Sequence, residues 1–296
     1  MTTFIDEQRA RWGVEPTCRT LQVAPSSYYA AKTRPPSARA VNDATLADIM
    51  TRVHRAHFGV YGVRKLWKAL RRLNVDAGRD QVGRIMRSIG LQGVTRTKRI
   101  RTTRPAVVEQ RPADLVERVF AAPAPNRLWV ADLTYVSTWS GFVYTAFVID
   151  AFSRAIVGWR VLSTIRAELA LDALEMAIWR RRDEALGGLV HHSDRGVRYL
   201  AIRYTERLAE VDAVSSVGSK GDSYDNALAE TVNGLYKAEL INRRGPWRTL
   251  EQVELATARW VDFWNTQRLH SACGDIPPAE FEAAYHSALQ ATGEAA

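Results

Sequence analysis

The sequence predicts an α/β layer domain in the second half of the chain, preceded by all-α segments. Residues 127–192 read as three strands joined by short turns and followed by alternating helix and strand, which is typical of a layered α/β domain. Residues 1–95 instead carry apolar side chains at three- and four-residue steps, as amphipathic helices do. With 296 residues, of which 46% are hydrophobic, the chain is long enough to bury one or two cores.

Residues 1–36 are predicted to form a small helix-turn-helix unit that ends in a proline-containing linker. Helices are expected at 6–12 and 16–23, and Ser26 or Ser27 can cap a third. A tight turn before a helix that begins with polar and aromatic residues is the pattern of helix-turn-helix DNA binding. An ordinary helical hairpin has the same pattern and stays open as an alternative.

Residues 37–95 are predicted to form a second helical DNA-binding domain. Helical periodicity runs through 43–53, with Asp43 as a cap, and then through 61–73 and 78–87. The last of these helices is predicted to enter the major groove of DNA. Its contacts are expected from Arg79, Gln81 and Arg84.

His54 and His57 have the spacing of a zinc-binding pair, but no cysteine pair follows at the distance that a zinc site needs. Both are therefore expected to be ordinary histidines on a helix surface. Cys18 and Cys273 lie far apart, so the sequence predicts neither a zinc site nor a disulfide.

Charge is uneven along the chain, whose formal net charge is +9. Residues 1–111 hold 22 Lys and Arg against 8 Asp and Glu, whereas residues 112–296 hold 19 against 24. A basic front with helical patterns favours nucleic acid as the partner, although a solvated basic surface is the alternative. Residues 96–122 continue as a basic linker that could follow phosphates. No stretch is apolar enough for a membrane span, so no membrane partner and a cytoplasmic location are expected.

Residues 123–285 are predicted to form the α/β domain, with 286–296 as a tail. Strands are expected at residues 127–138, 141–150, 155–162, 189–192 and 213–217. Helices are expected at residues 166–181, 197–210, 225–237 and 250–264. The second strand is nearly continuously apolar, as a strand covered on both faces requires.

Two aspartates lie where a charge is costly to bury. Asp132 is inside the strand-like run 128–136, and Asp194 follows the short apolar run 189–193, which turns polar just before Arg195. A desolvated carboxylate needs compensation, and a divalent cation shared between carboxylates fits best.

A third carboxylate, Glu230, lies on a short acidic helix, and 35 residues separate it from Asp194. At 3.6 residues per turn, one face of this helix carries Asn226, Glu230, Asn233 and Lys237. The residues expected to pack inward are Ala227, Leu228, Leu235 and Leu240. Taken alone, such a face is usually a solvated surface, but the two upstream aspartates favour a site. Asp150 and Asp225 are rival carboxylates: Asp150 is expected to be a strand-end residue, and Asp225 a helix cap or a carboxylate of the first helical turn.

Together these motifs resemble the DDE transposases of bacterial insertion sequences, of the IS-three type, within the retroviral-integrase superfamily. The matching segments are WVADLTYV, LVHHSDRGVRY and GDSYDNALAETVNGLYKAEL. The similarity runs from about Ser26 to Tyr285. Residues 264–271 are similar to the family's YN-x-x-R-x-H-S segment, with Trp264 in place of tyrosine, and no physical role for them follows from the sequence.

The resemblance implies a ribonuclease-H-like integrase core, a mixed five-stranded sheet with flanking helices, behind the helix-turn-helix domains. It implies that Asp132, Asp194 and Glu230 are catalytic and bind two Mg²⁺ or Mn²⁺ ions. Lys237 is similar to a lysine that contacts DNA. Asn226 and His192 are further candidates for DNA contact, and for His192 a packed ring is an equal alternative.

The resemblance also implies a function and partners. The function would be metal-dependent DNA cleavage and strand transfer at insertion-sequence ends. The partners would be double-stranded DNA, further copies of the chain in a dimer or larger assembly, and an upstream-frame DNA-binding product, all at the bacterial nucleoid. A non-catalytic helix-turn-helix regulator built on residues 1–111 is the alternative. A nuclease acting on RNA–DNA hybrids is a third reading, which the helix-turn-helix patterns disfavour.

Overall fold

The computed structural model describes residues 1–95, 120–184, 186–193, 202–217 and 226–293. They form two compact units, Met1–Thr51 and Arg52–Ala296. The helices are α1 (Thr2–Trp12), α2 (Val14–Thr20), α3 (Pro25–Thr33), α4 (Ala38–Ala56), α5 (Val63–Arg72), α6 (Arg79–Ser88), α7 (Ala167–Arg180), α8 (Ile202–Glu210), α9 (Ala227–Tyr236), α10 (Asn242–Arg244), α11 (Leu250–Thr266) and α12 (Pro278–Gly293). The strands are β1 (Leu128–Thr138), β2 (Gly141–Asp150), β3 (Ile156–Leu162), β4 (Val190–Ser193) and β5 (Val214–Val217). None of these helices is long and apolar enough to cross a membrane.

Helices α1 to α3 of the first unit enclose a small core. Ile5, Cys18 and Tyr28 are buried together, and the Tyr28 hydroxyl donates a 2.7 Å hydrogen bond to Asp6. Helix α3 begins at Pro25, so the prediction of a serine cap is wrong. Proline suits this first turn because its missing N–H would have no helical acceptor there.

The sheet confirms the predicted mixed five-stranded architecture, with strand order β3-β2-β1-β4-β5. Strands β1, β2 and β3 pair antiparallel, whereas β4 and β5 run parallel to β1. Helix α7 packs closely on this sheet at Gly158, where a Cβ would come within 2.0 Å of the Ala173 carbonyl oxygen. That glycine therefore sets the contact between β3 and α7, because no side chain fits between the two backbones.

The end of α11 covers the edge strand β3 of the sheet, which gives the segment 264–271 a physical role. The Asn265 side chain accepts from the Ile156 N–H at 2.9 Å and donates to the Ile156 carbonyl at 2.9 Å. The Trp264 indole N–H donates to the Arg154 carbonyl at 2.8 Å. An edge strand leaves backbone groups unpaired, and this amide pairs two of them.

A buried ion pair joins the same segment to the helix that carries Glu230. Arg268 donates to both carboxylate oxygens of Glu239, with contacts of 2.7 and 3.0 Å. Glu239 belongs to a π-helical turn, Lys237–Ile241, that continues α9. Both side chains are only 5% exposed. This pair therefore links α9 to the end of α11 inside the core.

Helices α4 to α6 differ from the prediction in two respects. Helix α4 begins at Ala38, and Ser37 accepts from the Ala40 N–H at 3.2 Å, so Asp43 lies inside the helix instead of capping it. His54 is buried rather than on the surface, and burial lowers its pKa. The inward face of α6 consists of Val82, Ile85 and Met86.

Helices α5 and α6 belong to the same compact unit as the sheet, and α5 with the loop before it packs against α11 and the segments beyond it. The Tyr61 hydroxyl accepts from the Leu269 N–H at 2.8 Å. Arg72 pairs with Glu280 at 2.6 Å. The Phe58 ring stacks on Phe263, with the ring centroids 4.4 Å apart. Residues 58–72 are therefore packed against the C-terminal part of the chain that contains α11 and α12.

Candidate active site

The first predicted carboxylate lies on β1 where its pairing with β4 ends. Strand β4 runs parallel to β1, and the last pair in register joins Ala131 to Ser193. Asp132 is the next residue of β1 and is half-buried. Asp194, the residue after Ser193, lies outside the described residues. Parallel pairing therefore brings the strands that lead to both aspartates side by side.

Helix α9 is fastened to β1 by two asparagine side chains. Asn226, its N-cap residue, donates to the Ala131 carbonyl at 2.9 Å. One turn from the end of α9, Asn233 donates to Oδ2 of Asp132 at 2.8 Å, while Oδ1 accepts from the Leu133 N–H at 2.8 Å. The amides thus fix both the distance of α9 from β1 and the orientation of the Asp132 carboxylate.

Glu230 lies in the first turn of α9 and is exposed. Residues three apart on a helix are neighbours, so Glu230 lies one turn from the asparagine that holds Asp132. A carboxylate in the first turn is stabilised by the helix dipole. At the other end, the Lys237 ammonium is 4.4 Å from the centre of the Tyr135 ring. The predicted polar face of this helix therefore follows β1.

The two histidines of β4 are buried on opposite faces of the sheet, because they are successive residues of a strand. The His191 ring is 3.1 Å from the Tyr204 hydroxyl, and the His192 ring is 3.0 Å from the Ser216 hydroxyl. Burial lowers the pKa of His191 to about 4, so it is neutral at pH 7. His192 and Asn226 are both buried, so contact with DNA would require them to become exposed.

The rival carboxylate Asp150 has a structural role at the end of β2, as predicted. It accepts from the Asn126 N–H at 2.7 Å and from the Phe152 and Ser153 N–H groups at 2.9 Å each. Burial raises its pKa. These bonds close the β2–β3 turn. The second rival, Asp225, lies outside the described residues.

The predicted DNA-contacting residues of the front segment lie at the start of α6. The Arg79 side chain is exposed and lies 3.8 Å from Asp80, while Gln81 and Arg84 are half-buried. The buried face of α6 consists of Val82, Ile85 and Met86, so none of the three belongs to it.

Sequence reasoning missed the function of Asn233. It placed this residue on the polar face of the helix without assigning it a contact. The sequence feature that could have indicated this contact is the position of Asn233 three residues after Glu230, because this spacing puts both side chains on the same side of a helix. The sequence alone does not reveal that β1 is the neighbour of that side.

Comparison with known proteins agrees with this architecture. Two models described as integrase core domains match residues 122–223 and 214–278, and a model described as an HTH-like domain matches residues 41–99. A putative transposase for insertion sequence element IS986/IS6110 from Mycobacterium tuberculosis is 55% identical over 273 residues, covering 91% of this chain and 98% of that protein. The transposase for insertion sequence element IS629 from Shigella sonnei is 48% identical over 296 residues, covering 98% of each.

Among solved structures, one similar structure is the HTLV-2 integrase catalytic core domain in complex with magnesium. The similarity covers 54% of this chain and 98% of the HTLV-2 chain, with 17% sequence identity and a TM-score of 0.43. That likeness is too low to carry an argument about the site. The family assignment rests on the sequence relatives, because they match along nearly their whole length. The chain therefore belongs to the bacterial insertion-sequence transposases of the IS-three type, polynucleotidyl transferases with an HTH-like domain and an integrase core.

Proposed function

We propose that Asp132, Asp194 and Glu230 are the catalytic residues of this transposase and that they hold two Mg²⁺ or Mn²⁺ ions. The observation that carries the proposal is the 2.8 Å bond from Asn233 to Asp132. It brings α9, with Glu230 one turn away, onto β1 beside the end of β4. Integrase-family cores are metal-dependent, and the proposal assigns that dependence to these residues.

The donor chemistry of these residues fits such ions. All three are carboxylates, and hard divalent cations prefer carboxylate oxygens. The described residues contain no group of three His, Cys, Asp or Glu that could hold a metal, and Asp194 is not among those residues. When bound, the ions would reduce the electrostatic repulsion that opposes attack on a phosphodiester and would stabilise the negative charge on the leaving 3′ oxygen.

The protein's own groups would prepare this site. Asn233 and the Leu133 N–H hold the two oxygens of Asp132 in place, so one carboxylate orientation is fixed before DNA binds. The buried, neutral His191 adds no positive charge that would repel a cation. Lys237, two turns beyond Glu230, would attract the phosphates of the DNA end.

The proposed reaction is hydrolysis of one phosphodiester at each element end, followed by attack of the released 3′ hydroxyl on another phosphodiester. Both steps exchange one phosphorus–oxygen bond for another, so one site serves both. Two ends must meet, so the active species would be a dimer or larger assembly. An upstream-frame partner and a location at the nucleoid are part of the same proposal.

Purified chain, Mg²⁺ and duplex DNA bearing the element ends would test this function. We expect release of a 3′ hydroxyl and, later, joined products. Sequence-specific binding without strand chemistry would instead indicate a regulator, which the transposase relatives do not favour. Degradation of an RNA–DNA hybrid but not of duplex DNA would indicate a hybrid nuclease.

Asn233→Ala is expected to lower strand cleavage by about 10- to 100-fold, the usual effect of losing the group that orients a metal-binding carboxylate. The measurement is single-turnover cleavage of end DNA over a range of Mg²⁺ concentrations. DNA affinity should be unchanged, and higher Mg²⁺ should restore part of the rate. Asn242→Ala, at an exposed amide of α10, is the control. Equal rates for Asn233→Ala and the unaltered chain would remove the positioning role.

We also propose that α6 contacts DNA through Arg79, Gln81 and Arg84, with both arginines at phosphates. Each phosphate contact that is lost should reduce the slope of log affinity against log salt by about 0.9. Changing Arg79 and Arg84 together to alanine is therefore expected to reduce the slope of log affinity against log salt by about 2. Fluorescence anisotropy with duplex DNA at several salt concentrations measures this slope. Arg160→Ala, on β3 and paired with Asp172, should leave the slope unaltered. An unchanged slope in the double variant would place the duplex elsewhere.

A further inference from the structure

We propose that the tip of the β1–β2 hairpin is a stacking platform for unpaired bases of the DNA strand that leaves the active site. The proposal rests on the function proposed above and adds a binding site for single-stranded DNA. The platform consists of three aromatic and two basic side chains: Tyr135, Trp139, Phe142, Lys237 and Arg248.

Three aromatic side chains of this hairpin face solvent. Tyr135 is 43% exposed, Trp139 68% and Phe142 56%. The Tyr135 and Phe142 rings meet edge to face, with their centroids 5.6 Å apart. The register pairs Tyr135 with Tyr144 and Ser137 with Phe142, so both rings stand on one face of the hairpin. Exposed aromatic rings grouped on one hairpin in this way mark a binding site.

Two cations lie against the same rings. The Lys237 ammonium is 4.4 Å from the Tyr135 ring centre, and the Arg248 guanidinium is 5.1 Å from that of Trp139. Aromatic faces interleaved with basic groups are what proteins present to single-stranded nucleic acid, because bases stack while the cations attract phosphates. The positive charge thus selects an anionic occupant over an apolar protein surface.

The hairpin tip is held in place rather than left as a free loop. The Trp139 N–H donates to the Trp247 carbonyl at 3.0 Å, and the Ser140 hydroxyl donates to the Arg248 carbonyl at 3.1 Å. Both acceptors belong to the segment that leads into α11. The platform is therefore ordered before DNA arrives, which lowers the entropic cost of binding.

The position of the platform favours a strand that comes from the active site. Strands rise about 3.3 Å per residue, so Tyr135 lies about 10 Å and Trp139 about 23 Å along β1 from Asp132. Tyr135 and Asp132 are three residues apart and point to opposite faces of β1, so the link to the active site is α9: its Lys237, two turns beyond Glu230, has its ammonium 4.4 Å from the Tyr135 ring centre. Base faces are covered in a duplex, so stacking on these rings requires unpaired bases.

Fluorescence anisotropy without divalent ions tests the platform separately from catalysis. The probes are a blunt 20-base-pair duplex and the same duplex with a six-nucleotide unpaired 3′ tail. The double variant Trp139→Ala with Phe142→Ala is expected to lose about 10- to 100-fold in affinity for the tailed probe, as one stacked base contributes about 1–3 kcal/mol. Its affinity for the blunt probe should change much less. Asp132→Asn should keep the preference for the tail whether or not it abolishes cleavage.

The chain offers a matched control in Trp179. This residue is 66% exposed and has the Arg182 guanidinium 4.4 Å from its ring centre, but it lies on α7. Trp179→Ala should change tail affinity less than twofold. In the unaltered chain, 5-iodouracil in the tail should crosslink within residues 135–142. Crosslinks elsewhere would overturn the proposal, and so would an equal loss of affinity for the blunt and tailed probes in the double variant. A lower oligomer mass of the double variant would also overturn it, because it would indicate that the rings form an interface between copies of the chain.

Discussion

Asp132→Asn and Glu230→Gln are each expected to lower metal-dependent cleavage of end DNA by at least about 10²- to 10³-fold. Each change keeps the shape of the side chain and removes its charge, so the hydrogen bonds that fix α9 on β1 can persist while metal binding fails. Losing one preorganised electrostatic group commonly has an effect of this size. The measurement is single-turnover release of the 3′ hydroxyl in saturating Mg²⁺.

The control for this experiment is the same type of change at an aspartate that lies away from the site. Asp183→Asn serves, because the Asp183 side chain is 84% exposed and its ion-pair partner is the neighbouring Arg182. It should retain full activity, and all three variants should bind DNA like the unaltered chain. If Asp132→Asn cleaved within twofold of Asp183→Asn, the assignment of the catalytic carboxylates would be wrong.

Arg268→Ala is expected to lower the free energy of unfolding by about 3–5 kcal/mol, because it leaves the buried Glu239 carboxylate without its charged partner. The two Arg268–Glu239 contacts of 2.7 and 3.0 Å lie in the core between the α9 segment and α11. The Trp260 indole N–H, at 3.4 Å from the Glu239 carboxylate, cannot replace a cation. Urea unfolding of the purified chain measures the effect.

An exposed ion pair of similar geometry gives the comparison for this prediction. Arg207 contacts both oxygens of Glu175, at 2.7 and 3.1 Å, but these side chains are 28% and 46% exposed. Arg207→Ala should cost about 1 kcal/mol or less, since water screens such pairs. Changing Arg268 and Glu239 together to apolar residues should recover much of the loss. Equal costs for Arg268→Ala and Arg207→Ala would show that the buried pair does not hold α9 in place.

Strand prediction succeeded because the local pattern and the tertiary environment agree. The predicted strand 127–138 contains the apolar run 128–131 and alternates buried and exposed positions at its outer end, and β1 is observed at Leu128–Thr138. Two residues, Trp139 and Ser140, separate it from β2, so the hairpin follows directly from the spacing.

The buried face of α9 was harder to predict, because hydrophobicity alone does not identify a helix's neighbours. Ala227, Leu228 and Leu235 were expected to pack inward but are only partly buried. The buried side chains include Tyr236, whose ring is 5.1 Å from that of Phe147, and Asn233, which meets Asp132. An amide is buried here because a carboxylate on β1 accepts its hydrogen bond. The other expectation, Leu240, is confirmed as buried.

The segment 264–271 illustrates a second limit. Its side chains bond to the backbone of Arg154 and Ile156 and to Glu239, groups far away along the chain. Spacing within the segment contains no information about those partners. His270 is an example, since burial against Trp264 lowers its pKa to about 2, which the sequence gives no reason to expect.

The most direct test of the proposed site is where a metal ion lies on the polypeptide. Fe²⁺ replacing Mg²⁺, with ascorbate and peroxide, would cut the backbone beside its ligands. A metal site shared by the three carboxylates predicts cuts near residues 132, 194 and 230 together. These cuts should be suppressed by excess Mg²⁺ and lost in Asp132→Asn. Cuts beside only one of the three, or a pattern that Asp132→Asn leaves unchanged, would contradict a shared metal site.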